Sequence, residues 1–228
     1  MVFVLRREPA EGKLYATGVQ RCLNFSKWVT VFGIFLRGEM WYMLMQRQVS
    51  STKEVSRLIA IRPEREADYA AIDEVNRLAF AREAEGRLVE TLRIAANFIP
   101  QLSLAGVKDG TVIGHILFSP VTIETKRGDI PALALAPMAV LPAYQHQGIG
   151  SELIGRGLRE CRNLGHGVVI VVGHPDYYPR FGFSSARAKG LEAPFPVPDV
   201  AFIVIELIEG ALNGIAGVVR YPPAFDGV

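Results

Sequence analysis

Cysteine and histidine are scarce in this chain, with two of the former and four of the latter among 228 residues. Cys22 and Cys161 show neither metal-ligand spacing nor a disulfide pattern, so no metal site is expected. A reducing, cytoplasmic setting is the default. An excess of one charge is also missing. The formal net charge is +2 and Lys and Arg are dispersed, which argues against nucleic acid or an anionic membrane as partner. There is no clean apolar run of membrane-spanning length. The most apolar stretch, Trp28 to Met45, is interrupted by Arg37 and Glu39 and is short for a span. No small-residue cleavage site follows it, so a signal peptide is not expected either. Repeats and low-complexity tracts are absent. What remains is an ordinary globular composition, 50% hydrophobic and 21% charged, long enough to bury one sizeable core.

The pattern of apolar residues divides the chain into alternating elements. Leu58 to Arg62 reads as a short strand ended by Pro63. Residues 64–80 carry Ala67, Ala70, Ala71, Val75, Leu78 and Ala79 at helical spacing. A second helix is expected from Ala84 to Phe98, with Pro100 beyond its end. Residues 102–108 and 112–124 form a hairpin across Asp109-Gly110. A second turn at residues 126–129 leads into an apolar strand at 133–140. Residues 150–164 then place Leu153, Ile154, Leu158, Cys161 and Leu164 on one helical face, with Gly165 suited to the position just past the end. Val168 to Val172 is apolar throughout, the mark of a strand covered on both faces. A strand, a helix and a buried strand in succession imply a parallel crossover. Residues 200–208 and 217–221 are closing strands, with a helical turn near Ala211. The expected fold is α/β, a mixed sheet flanked by helices.

The chemistry concentrates at the junction of the strand at 133–140 with the helix that follows. Gln145-His146-Gln147-Gly148-Ile149-Gly150 lies there, with Ser151 next. Such a loop leaves several N–H groups unpaired, and the helix N-terminus adds partial positive charge, which suits a diphosphate. Glycine lets a phosphate approach the backbone without meeting a Cβ. No Gly-Lys-Ser/Thr ending supports a nucleoside-triphosphate loop. No Gly-x-Gly-x-x-Gly with a distal acidic residue supports a dinucleotide fold. Upstream, Pro137 removes one ladder bond from its strand. Downstream runs Tyr177-Tyr178-Pro179-Arg180-Phe181-Gly182-Phe183.

This ordered set, from about Leu58 to Tyr221, resembles the GCN5-related N-acetyltransferase (GNAT) superfamily, within it the small bacterial acetyltransferases of unassigned substrate. Gln145, Gly148 and Gly150 match the family's pattern of Arg or Gln, two residues, Gly, one residue, then Gly or Ala. The resemblance implies a central, mostly antiparallel sheet splayed between two parallel strands. It implies acetyl-CoA as co-substrate, with the diphosphate held by Gln145, His146, Gln147, Gly148, Ile149, Gly150 and Ser151. The pantetheine arm would pair with backbone groups of Met138, Ala139 and Val140, as a peptide adds to a sheet edge. A backbone N–H near Val140 would stabilise the thioester oxyanion. Tyr178, five residues before Phe183, stands where the family has a tyrosine that protonates the leaving thiolate, with Tyr177 the weaker choice. No metal is implied, and a homodimer is compatible.

The activity so implied is transfer of acetyl from acetyl-CoA to a primary amine, on a small molecule or a protein, by direct attack in a ternary complex. A catalytically silent acyl-CoA-binding domain is the alternative. The general base stays open among Glu124, His115, His174 and water. Residues 1–55 are expected to be an extension or the product of an early start site, and residues 56–228 the acetyltransferase domain. A chain beginning at Met45 should therefore fold and bind acetyl-CoA like the full chain. Insoluble or unfolded truncated protein would show that Trp28, Phe32, Phe35 and Trp41 complete the core.

Overall fold

Long apolar alternation from residue 111 to residue 140 builds the centre of the molecule. In the computed structural model, which describes residues 59–226 and two short paired strands, Leu5–Arg7 (β1) and Leu14–Ala16 (β2), that stretch is a hairpin of Thr111–Thr125 (β5) and Gly128–Val140 (β6). The Trp28–Met45 stretch and the expected boundary near residue 55 lie outside the described residues. Ala60–Pro63 (β3) and Ser103–Lys108 (β4) extend the sheet beyond one edge of the hairpin. Val168–Val172 (β7) and Phe202–Glu206 (β10) extend it beyond the other, ending at Ser184–Ser185 (β8). Gly217–Arg220 (β11) pairs with the far half of β5 and carries Leu191–Glu192 (β9) on its outer side. The nine strands make a mixed sheet in which only β6 with β7, and β9 with β11, run parallel.

Helices cover both faces. Ile149–Asn163 (α3) lays Ile149, Leu153, Ile154 and Cys161 on a core that includes Ile113, Ile116, Phe118, Met138 and Val140. Tyr69–Phe80 (α1) and Ala84–Arg93 (α2) bury Ile72, Val75, Leu88, Val89 and Leu92 against Ala105, Leu117 and Ala139 on the opposite face. A third cluster under Phe202, Val204 and Leu212 closes the sheet's far end. Burial pushes the Cys161 thiol up to about 12, so it packs as a small apolar residue rather than reacting.

The structure differs from the sequence expectations in places with identifiable causes. Pro63 belongs to β3 rather than ending it, because β3 is an edge strand, where a missing N–H costs no ladder bond. The second helix stops at Arg93 rather than Phe98, and Ile94 beyond it is exposed. The apolar strand begins at Gly128 instead of 133. The expected helical turn near Ala211 is a chain of reverse turns, with Ala211 N–H donating to Ile208 and Asn213 N–H to Gly210. Gly210 and Gly214 have φ of 79° and 68°, which no right-handed helix contains.

The end of α2 is fixed by a buried polar cluster. Arg93 donates to both Glu64 oxygens at 2.8 and 2.9 Å, and Glu64 lies 3.5 Å from Nε2 of the fully buried His115. Ser103 Oγ is 3.0 Å from the same nitrogen, and Asn76 Nδ2 is 3.5 Å from Nδ1. Burial alone would raise the Glu64 pKa, but the bonds from Arg93 and His115 outweigh it and hold it at about 2. The folded pKa thus lies below the unfolded value, so the contribution is full above that unfolded value and is lost as pH falls. We expect Glu64→Gln to lose roughly 3 kcal/mol at pH 7. The gap from wild type should close progressively below pH ~5, as read by urea unfolding of both proteins at pH 7 and pH 3.

Candidate active site

The site forms where β6 leaves β7. Their parallel pairing is confined to Leu133 with Val169 and Ala134 with Ile170. Just beyond, the β5–β6 register shifts: Phe118 faces Leu135 but Ile116 faces Met138, so Leu117 opposes Ala136 and Pro137 together. This is a bulge, and bulges bend the strand that carries them. Pro137 has no N–H to offer either neighbour. From there β6 follows β5, while Val171 and Val172 stay with Ile203 and Phe202 on β10. A wedge opens between Met138–Val140 and the end of β7.

Antiparallel alternation decides which backbone groups face the wedge. Leu141 N–H donates to Ile113 O at 2.9 Å. In the same register Ala139 exchanges bonds with His115, and Met138 and Val140 turn theirs outward. The Val140 carbonyl bears this out, since it accepts from Gln145 Nε2 at 3.0 Å. Of the three expected strand contacts, Met138 and Val140 therefore present backbone to a ligand. Ala139 bonds to β5 and puts its side chain in the core under α1 and α2.

The loop supplies a continuous anion cradle. Gln145 N–H is taken by Pro142 O, and the next paired amide is Glu152, which donates to Gly148 O at 3.1 Å. Among the described residues, none of the amides from His146 to Ser151 has a hydrogen-bond partner. His146 and Gly148 have φ of 61° and 87°, so the chain curls its N–H groups to one side before α3 begins at Ile149. No atom lies within 4 Å of a Cβ built on Gly148, which leaves that side open to a phosphate. Ile149 is buried beneath as the anchor. Gln145 and Gln147 act on the loop itself, Gln147 through a 3.0 Å bond to Ala143 O.

The two tyrosines close the wedge. Tyr178 shares a core cluster with Met138 and Val140 and packs on Gly173, where any Cβ would come within 2.3 Å of its ring. Its ring meets those of Tyr177 and Phe183 edge-on, with centroids 5.3 and 5.5 Å away. Burial, then the neighbouring Tyr177, pushes its pKa up, so it stays a neutral phenol that can give a proton. Tyr177 reaches toward α3 instead, with its hydroxyl 2.8 Å from a Cβ built on Gly150. That approach accounts for glycine at 150 and was not legible in the sequence.

The candidate bases separate by position. Glu124 is exposed, paired with Arg220, and near the distal end of β5, about 25 Å along the strand from the partner of Met138. His115 has no exposed surface, and burial lowers its pKa, so it serves the polar cluster. His174 follows β7 at the end where the strands have parted, partly exposed, with Asp176 N–H donating to Nδ1 at 3.3 Å. Among the described residues no group of three or more His, Cys, Asp or Glu could hold a metal. No helix among them is long and apolar enough to cross a membrane.

A splayed parallel pair with a phosphate-binding loop above it is the arrangement of an acetyl-CoA-dependent acyltransferase. The sequence profile of the Acetyltransferase (GNAT) family matches residues 69–183, and the chain belongs to that family. It is 36% identical over 166 residues to the uncharacterized N-acetyltransferase YhbS of Escherichia coli K12, covering 73% of this chain and 98% of that protein. The uncharacterized N-acetyltransferase YjhQ of the same organism is 40% identical over 134 residues, 58% of this chain and 74% of the relative. The crystal structure of E. coli YhbS in complex with CoA superposes with a TM-score of 0.69 at 35% identity, covering 74% of this chain and 92% of that one. A GNAT family acetyltransferase from Brucella melitensis in complex with acetyl-CoA gives 0.61 at 34%, covering 74% and 98%.

Valine at Gly148 would place a β-branched side chain at a φ it does not favour and a Cβ in the open cradle. Gly148→Val should raise the dissociation constant for acetyl-CoA at least tenfold, about 1.4 kcal/mol. Titration calorimetry on a variant with unchanged circular dichroism checks this, and unaltered affinity would remove the loop from the coenzyme site.

Proposed function

We propose that residues 56–228 form an N-acetyltransferase domain, with residues 1–55 an extension, acting in the cytoplasm. The domain moves acetyl from acetyl-CoA to a primary amine on a small molecule or protein. The observation that carries this is the run of unpaired amides from His146 to Ser151, continuous with the outward-facing backbone of Met138 and Val140. The first suits the coenzyme's diphosphate and the second its peptide-like pantetheine arm. CoA and acetyl-CoA in the two structural relatives support the same reading.

The wedge favours direct transfer in a ternary complex. The amine nitrogen attacks the thioester carbonyl, whose oxygen takes up negative charge next to the Val140 N–H. The C–S bond breaks as the N–C bond is made, and the thiolate takes a proton from the Tyr178 hydroxyl. The amine loses one proton, to His174 or to water. Reference pKa values of about 8.5 for a thiol and about 10 for tyrosine make a free phenol a slightly reluctant donor. A buried thiolate is likewise destabilised by lost hydration, which offsets part of that mismatch.

A panel of amine acceptors assayed for free thiol tests the activity. Acetyl-CoA binding without thiol release across the panel would favour a silent binding domain. Tyr178→Phe keeps the ring against Gly173 and deletes only the donor. Its turnover should fall about a hundredfold, or roughly 3 kcal/mol of barrier, with acetyl-CoA affinity nearly unchanged. Full turnover in Tyr178→Phe, with chemistry rate-limiting, would defeat the assignment.

A further inference from the structure

Tyr177 and Arg180 are left over once Tyr178 has been given its task, and both lie beside the anion cradle. The Tyr177 and Ser151 hydroxyls are 3.5 Å apart, longer than a good O–H···O bond. Each therefore has donor capacity to spare, and both border the unpaired amides of the helix N-terminus. Arg180 Cζ stands 4.8 Å from the centroid of the Tyr177 ring, within cation–π range. Arg180 is exposed. Its one printed hydrogen bond is a 3.3 Å contact from Nη2 to the Asp176 carbonyl, and no carboxylate among the described residues neutralises it. An arginine with unsatisfied donors, held on a ring whose hydroxyl touches the cradle, matches a phosphate's paired oxygens.

We propose that Tyr177 and Arg180 form a second wall of the coenzyme site. In it the Tyr177 and Ser151 hydroxyls share one diphosphate oxygen, and Arg180 pairs with the same diphosphate from the outer side. The amides of the loop and the guanidinium then flank the anion. Tyr177 serves twice, as a hydrogen-bond donor through its hydroxyl and as the platform that orients Arg180 through its ring. This rests on the proposed coenzyme reading and adds residues that the glycine loop does not supply.

The test is calorimetry on the full chain and its Arg180→Gln and Tyr177→Phe variants with acetyl-CoA, acetyl-3′-dephospho-CoA and S-acetylpantetheine. Arg180→Gln should weaken acetyl-CoA binding about tenfold, and Tyr177→Phe about threefold to fivefold. The loss in Arg180→Gln should be the same with the 3′-dephospho compound and vanish with S-acetylpantetheine, which has no phosphate. Raising the salt concentration should weaken the wild type more than Arg180→Gln. Unchanged acetyl-CoA affinity in Arg180→Gln would overturn the proposal. So would a loss that disappears with the 3′-dephospho compound, which would mean Arg180 holds the 3′-phosphate. An equal loss with S-acetylpantetheine would reveal a general disturbance of the fold and overturn it as well. Failure of the wild-type chain to bind acetyl-CoA would instead refute the proposed function.

Discussion

Between Ala134 and Met138 one strand must leave one neighbour while keeping the other, and the site depends on how that is done. Buried backbone groups that lose a ladder partner need another. The bulge opposite Leu117 lets β6 turn without breaking from β5, and the Pro137 nitrogen carries no hydrogen to be stranded. Beyond it the outward groups of Met138 and Val140 are committed only where the Gln145 side chain takes the Val140 carbonyl. A half-unzipped parallel pair is thus a standing demand for hydrogen bonds, and a ligand that presents amides meets it. The same alternation hides Ala139, whose backbone is spent on β5.

Around this gap the rest of the structure acts as scaffold. Helix α3 ends with its positive pole beside the gap, and the loop before it keeps its amides free through left-handed backbone at His146 and Gly148. On the other face the Glu64–Arg93–His115 cluster ties β3, α2 and β5 together from residues far apart in the chain. A buried ion pair of this kind offsets the cost of desolvating its charges only with full hydrogen bonding, and Arg93 supplies two bonds to one carboxylate. The cluster keeps His115 from service as a base, which leaves the chemistry to groups at the wedge.

Local patterns were legible in the sequence and distant partnerships were not. The hairpin at Asp109-Gly110, the five apolar residues of β7 and the helix ended by Gly165 all rest on short-range rules of period and turn. The glycine loop could be read because its register and its place before a helix both follow from backbone chemistry. The two-residue strands β8 and β9 are too short to show a period. No local signal marks Arg93 as the partner of Glu64, or Tyr177 as the neighbour of Gly150, because each contact is made only when the sheet closes. The fate of Ala139 was hidden for a different reason: pairing register decides which amide of a strand is free, and composition does not.

The bond from Gln145 to the Val140 carbonyl gives the molecule a property of its own. It joins the segment that holds the coenzyme's charged end to the peptide that faces its reactive end, so the two cannot be adjusted independently. A lineage that remodelled its loop to accept a different carrier would shift the thioester's surroundings in the same stroke. Grafting the loop from one relative onto another should therefore transplant reactivity along with recognition. Gln145 makes the two ends of the coenzyme a single inherited unit.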